Sequence, residues 1–147
     1  MKKTNQEAYI LGFYGQSGVG KTYLVRRIVA DLCKLGKRVA VIKISDKAIS
    51  LDSEGKDTYL YGQAGADTVV FSTASETAYM VKHPLSTRII VDQLIDNANF
   101  DYIFIEGALE EWIPKIRLGD MQERDNTLVT YTGEYETLFQ KIVKNEI

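Results

Sequence analysis

The sequence predicts an α/β protein of the phosphate-loop class, with a mostly parallel central sheet and helices on both faces in three layers. Three observations carry that expectation. Gly15-Gln16-Ser17-Gly18-Val19-Gly20-Lys21-Thr22 fits the pattern G-x-x-x-x-G-K-[ST] at every fixed position. The run Ala8 to Tyr14 before it is apolar and aromatic without a charge, as in a strand buried on both faces. After it, Leu24, Val25, Ile28, Val29, Leu32 and Leu35 recur at helical spacing, while Arg26, Arg27, Asp31 and Lys34 fall mostly on the other side. Strand, glycine turn and helix is the context that gives the pattern its meaning.

The elements follow in order. Gly36 suits the end of the first helix, and Arg38 to Ile44 forms a second buried strand, parallel to the first by the βαβ order. Ser45 to Lys56 has no periodicity and is rich in charge and small residues, as in a loop leaving the carboxyl end of a strand. Asp57 suits the cap of a short helix that ends at Gly65-Ala66-Asp67. Thr68 to Ser72 and Thr77 to Val81 follow as strands, the second closed by His83-Pro84. Ser86 caps a helix carrying Ile89, Ile90, Leu94 and Ile95, since the apolar pattern runs past the stretch that would also suit a strand. Asp101 to Gly107, Lys115 to Leu118 and Thr127 to Tyr131 are further strands, and Glu134 to Lys144 is a closing amphipathic helix.

Composition sets the frame. With 147 residues, 45% of them hydrophobic, and no shift of composition along the chain, one nucleotide-binding domain over residues 1–147 is expected. A net charge of -2 gives no general attraction to nucleic acid, so any anion site must be local. Met1-Lys2-Lys3-Thr4 resembles the start of a secretory signal, but the apolar run after it is short and leads straight into the glycine turn. No stretch approaches the roughly 20 apolar residues that cross a bilayer. The single cysteine, Cys33, beside Leu32, is expected to be a buried thiol, which leaves no disulfide and no cysteine metal cluster. A cytoplasmic protein is expected.

Glycines let the backbone turn so tightly that successive N–H groups face one anion, and the helix starting near Lys21 adds the positive end of its dipole. Gly15, Gln16, Ser17, Gly18, Val19 and Gly20 are therefore the expected phosphate cradle. Lys21 reaches the terminal phosphate oxygens as a mobile charge, and the Thr22 hydroxyl suits a Mg²⁺ accompanying them. Asp101 to Gly107 resembles the strand that brings an acid beside that metal, so Glu106 is the candidate second ligand and, with Lys21, the candidate catalytic group. Asp46 is either a water- or Mg²⁺-positioning group or a turn aspartate. Lys43 and Arg117 either face an anion or are strand-end charges. His83 is a turn residue, and Trp112, in a charged loop, either anchors a contact with a partner or folds back on the core.

Several separated motifs together resemble one family, the molybdopterin-guanine dinucleotide biosynthesis protein B (MobB) group. They are Gly15 to Thr22, the Val-Ala-Val-Ile-Lys run ending at Lys43, Asp52 to Thr58, Ala64-Gly65-Ala66-Asp67, Asp101 to Gly107 and Ile113-Pro114-Lys115-Ile116. Gly-Lys-Asp-Thr, then Ala-Gly-Ala-Asp, then an Ile-Glu-Gly strand is far more specific than the phosphate loop alone. The resemblance implies a homodimeric GTP-binding accessory protein of molybdenum cofactor maturation, with weak GTPase activity, assisting the MobA-like nucleotidyltransferase that attaches guanine nucleotide to molybdopterin. It also implies that Gly107 lies near the metal or the terminal phosphate, and that Asp52, Lys56 and Asp57 belong to the family's loop motif. Where many members follow the lysine with a histidine cluster, this chain has Ile44, Ser45, Asp46 and Lys47.

Two other classes fit the residues: a small-molecule kinase that uses ATP, and a degenerate module with a nucleotide as structural ligand. No Asn-Lys-x-Asp guanine motif is present, and Asp125-Asn126 and Thr130 to Gly133 could line either base. The choice of GTP rests on the resemblance.

Overall fold

The computed structural model describes residues 7–147; Met1 to Gln6, where the signal-peptide reading falls, lie outside them. Two compact units are present, one built from the chain up to Ser45 together with Val91–Ile147, the other from Asp46–Ile90.

The first unit holds β1 (Tyr9–Tyr14), α1 (Lys21–Lys34), β2 (Val39–Lys43), β5 (Tyr102–Glu106), β6 (Lys115–Leu118), β7 (Thr127–Tyr131) and α4 (Tyr135–Val143). The second holds α2 (Asp57–Gln63), β3 (Thr68–Ser72) and β4 (Thr77–Val81), and α3 (Thr87–Asn97) runs from it into the first. Five strands form one sheet in the order β2-β5-β1-β6-β7, every neighbouring pair parallel. The α/β class with a parallel central sheet is therefore as expected. β3 and β4 pair only with each other, antiparallel, as a separate ribbon.

Alternation along the strands sorts the core. Leu11 and Phe13 of β1, Tyr102 and Phe104 of β5 and Ile116 and Leu118 of β6 pack with Leu24, Val25, Ile28 and Leu32 of α1 and Leu138, Phe139 and Ile142 of α4. Phe13 and Phe104 meet edge to face at 5.4 Å, an arrangement aromatic quadrupoles favour. Tyr135 locks the two helices: its hydroxyl donates to Asp31 at 2.7 Å and the Arg27 guanidinium lies 3.5 Å from its ring centre. Burial, and then that bond, push the Tyr135 hydroxyl far above its usual range, while the same bond holds the Asp31 carboxyl low.

Lys115 is fully buried in β6. Its ammonium donates to the carbonyls of Glu110 (2.6 Å), Ile113 (2.8 Å) and Asp125 (2.7 Å), and burial lowers its pKa. Gly12 makes the room, since a Cβ there would stand 2.6 Å from Ala108 and 3.2 Å from the Lys115 chain.

Helix ends match their sequence signals with one exception. Gly36 has φ +75°, and bonds from Gly36 to Cys33 and from Lys37 to Leu32 complete a Schellman motif. The Ser86 hydroxyl accepts from the Ile89 N–H at 3.3 Å, as a cap does. Asp57, however, is the first helical residue, and Lys56 occupies the cap. Cys33 and Leu35 are exposed rather than buried, because the buried stripe of α1 closes at Leu32.

Within the second unit the carboxylate of Asp52, only 5% exposed, accepts from Lys82 (2.9 Å), Thr58 (2.9 Å) and the Ser53 N–H (3.1 Å). The Lys82 bond is the main reason its pKa is lowered. The loop, α2 and β4 are thereby tied together through one acid. His83 faces Asp67 at 3.3 Å.

Candidate functional site

The sheet order builds the site. β1 lies between β5 and β6, so the chain leaving Tyr14 emerges at the middle of a parallel sheet, where ligands bind in open α/β folds. Phe13 pairs with Glu106, and Glu106 pairs with Lys43, which puts the ends of three strands beside the glycine turn.

Gly15 is held against β6: a Cβ there would sit 2.4 Å from the Leu118 carbonyl oxygen. Gly18 (φ +79°) and Gly20 (φ +101°) take left-handed backbone, and Gly20 caps α1. The Lys21 ammonium bends back over the turn and donates to the carbonyls of Gly15 and Gln16, both at 2.7 Å. The first N–H groups of α1 lack intrahelical partners by construction. Ser17, Gly18 and Gly20 of the turn, Lys21, Thr22 and Tyr23 of the helix, and Lys43 and Glu106 of the strands line a cleft of about 290 Å³. Lys43 stands 3.9 Å from Glu106, whose side chain is 13% exposed. Two ammonium groups, a helix start and a hydroxyl thus converge with one largely buried carboxylate, which suits an anion accompanied by a divalent cation.

The other sequence candidates are placed as follows. Gln16 donates to Asp120 at 2.9 Å, fastening the turn to the segment after β6 and lowering the pKa of that acid. Val19 is 37% exposed and packs toward Gly119, where a Cβ would stand 2.9 Å away. Gly107 has φ +88°, and a Cβ there would come within 2.7 Å of the Ile44 carbonyl oxygen. It shapes the bend after Glu106 and does not line the cleft. Asp46 is exposed, opens the second unit and is not among the residues that line this cleft. Arg117 is committed to Thr130 (3.0 Å), the Met121 carbonyl (3.2 Å) and Glu123 (3.9 Å). Trp112 donates its ring N–H to Glu110.

Tyr23 is the lining residue that sequence reasoning passed over. Its signal was an aromatic directly after the motif, off the apolar stripe that starts at Leu24. No group of three or more metal-ligating side chains exists among the described residues, and Mg²⁺ beside phosphates needs only one or two carboxylates.

Comparison with known proteins shows the family and the fold. Residues 10–138 match the family described as Molybdopterin guanine dinucleotide synthesis protein B. The chain is 34% identical over 115 residues to a molybdopterin-guanine dinucleotide biosynthesis adapter protein of Haemophilus influenzae, covering 78% of this chain and 65% of that one. It is 32% identical over 112 residues to the Escherichia coli adapter protein, covering 74% and 64%. The chain thus spans a little under two thirds of the length of these relatives. The fold is similar to that of Bacillus subtilis MobB, with a TM-score of 0.71 at 17% identity over 92% of this chain and 96% of the other. A further solved molybdopterin-guanine biosynthesis protein B gives 0.63 at 22% identity, over 92% and 97%. The chain belongs to the molybdopterin guanine dinucleotide synthesis protein B family.

Proposed function

We propose that the protein binds GTP with Mg²⁺ in the cleft over the glycine turn. In this reading it serves in the cytoplasm as an accessory protein of molybdopterin guanine dinucleotide synthesis, assisting a MobA-like nucleotidyltransferase. The observation that carries the reading is the convergence of Lys21, Thr22, Lys43 and Glu106 on one cleft at the middle of the sheet. Lys21 and Lys43 bind the phosphates, and the Thr22 hydroxyl and Glu106 carboxylate hold Mg²⁺. When bound, that ion neutralises charge on the phosphate oxygens. Both cations of the cleft are lysines, whereas fast hydrolysis uses an arginine or a glutamine acting on the transition state. Turnover of GTP is therefore slow. Guanine and the pathway partner come from the family relatives, whose names place them in this synthesis.

Calorimetric titration with non-hydrolysable GTP and ATP analogues tests the reading. Tighter binding of the GTP analogue supports it, and preference for the ATP analogue turns the assignment to a kinase. Glu106→Gln should weaken Mg²⁺ uptake by the nucleotide-bound protein roughly 10–100-fold, the scale seen even when a group next to a metal ligand is lost. Unchanged Mg²⁺ affinity would remove Glu106 from the metal site.

The homodimer implied by the family is assigned here to the β3-β4 ribbon. Isolated two-stranded ribbons are marginal in water, yet Val70, Phe71 and Tyr79 are 50%, 55% and 75% exposed, and apolar edge strands pair with other chains. Sedimentation at micromolar concentration should give a dimer that Phe71→Glu converts to monomer. A monomeric unmodified chain would refute the assignment.

A further inference from the structure

We propose that Tyr23 is the platform on which the nucleobase stacks, an inference that rests on the nucleotide reading of the cleft. The cleft, at about 290 Å³, lies at the lower limit of the roughly 300–1,000 Å³ typical of ligand pockets. It takes the phosphate end of a nucleotide and leaves the nucleoside at its rim, where Tyr23 stands.

Tyr23 is the third residue of α1. Cα–Cβ bonds in a helix tilt toward the amino terminus, so the ring is carried toward the glycine turn, and it lines the cleft while remaining 62% exposed. Its neighbours Leu24 and Val25 are buried, so the ring is on the side of the helix that the core does not use. A single exposed aromatic is unremarkable by itself; its place beside a phosphate-sized cleft gives it a role. The Arg26 guanidinium lies 5.9 Å from the ring centre, within cation–π range. That contact restricts the ring, and an already ordered ring gives up less freedom when a base lands on it.

Every base has a π face, so stacking gives affinity without choosing between guanine and adenine. Loss of the ring should therefore weaken both nucleotides alike and spare a ligand that has phosphates but no base. Inorganic tripolyphosphate is that probe.

The experiment titrates the unmodified chain, Tyr23→Ala and Tyr23→Phe, each with Mg²⁺, against the GTP analogue, the ATP analogue and tripolyphosphate. Tyr23→Ala should bind both nucleotide analogues roughly 5- to 100-fold more weakly, with tripolyphosphate affinity unchanged, and Tyr23→Phe should retain nucleotide affinity. Undiminished nucleotide binding by Tyr23→Ala overturns the inference, and so does an equal loss for tripolyphosphate, because the ring would then only shape the phosphate cleft. If the unmodified chain binds neither a nucleotide analogue nor tripolyphosphate, the nucleotide reading itself fails and the inference falls with it.

Discussion

Lys21→Ala should lower the affinity for a non-hydrolysable GTP analogue by roughly 100- to 10,000-fold. A hydrogen bond to a charged group contributes about 1.5–3 kcal/mol, and 1.4 kcal/mol is tenfold in affinity. An ammonium over the terminal phosphates makes two such bonds. The side chain is already poised, held 2.7 Å from the Gly15 and Gln16 carbonyls, so little ordering is needed to engage the ligand. Lys21→Arg should not restore binding, since a planar guanidinium cannot take the place of a compact ammonium against a tight turn. Calorimetry reads the affinity, and a thermal melt by circular dichroism confirms that the fold is retained. An affinity within threefold of the unmodified protein would end the phosphate-loop reading of this site.

Lys115→Met should lower stability by roughly 3–5 kcal/mol, because the buried Ile113 carbonyl and the partly buried bonds to Glu110 and Asp125 lose the ammonium that satisfies them. In a chain of this length that corresponds to a fall in Tm of roughly 6–20 °C. Methionine replaces the aliphatic stem, so the loss reads the polar head rather than a cavity. The pH dependence has a definite sign. Burial holds the folded-state pKa of Lys115 below its ordinary 10.5. Between that lowered value and 10.5 the unfolded chain binds more protons than the folded one, and the Lys115 contribution grows as pH rises. The deficit of the methionine variant should widen across that window. A Tm within 2 °C of the unmodified protein, flat with pH, would show that water satisfies these carbonyls instead.

The local signals in the chain were strong wherever chemistry is local. The glycine spacing, the uncharged run before it and the apolar stripe of α1 determined the turn and its flanks, because backbone conformation and amphipathicity are set by neighbouring residues. Gly36, Gly65 and Ser86 marked helix ends for the same reason. Pairing between distant segments is a different matter. No residue pattern announced that β3 and β4 would leave the main sheet, that Cys33 and Leu35 would fall outside the core, or that the 0%-exposed Lys115 would clasp two loops.

The candidate site divides along the same line. By itself the sequence singled out the candidate groups Lys21, Thr22 and Glu106, the glycines around them, and Lys43 as either an anion contact or a strand-end charge. The tertiary structure alone decided that the registers of β1, β2 and β5 bring Lys43 and Glu106 to the same cleft as Lys21 and Thr22, that Asp46 belongs to the second unit, and that Tyr23 stands at the rim. Side-chain type follows from the local code, whereas convergence depends on strand order, which hydrophobic burial selects over the whole chain at once.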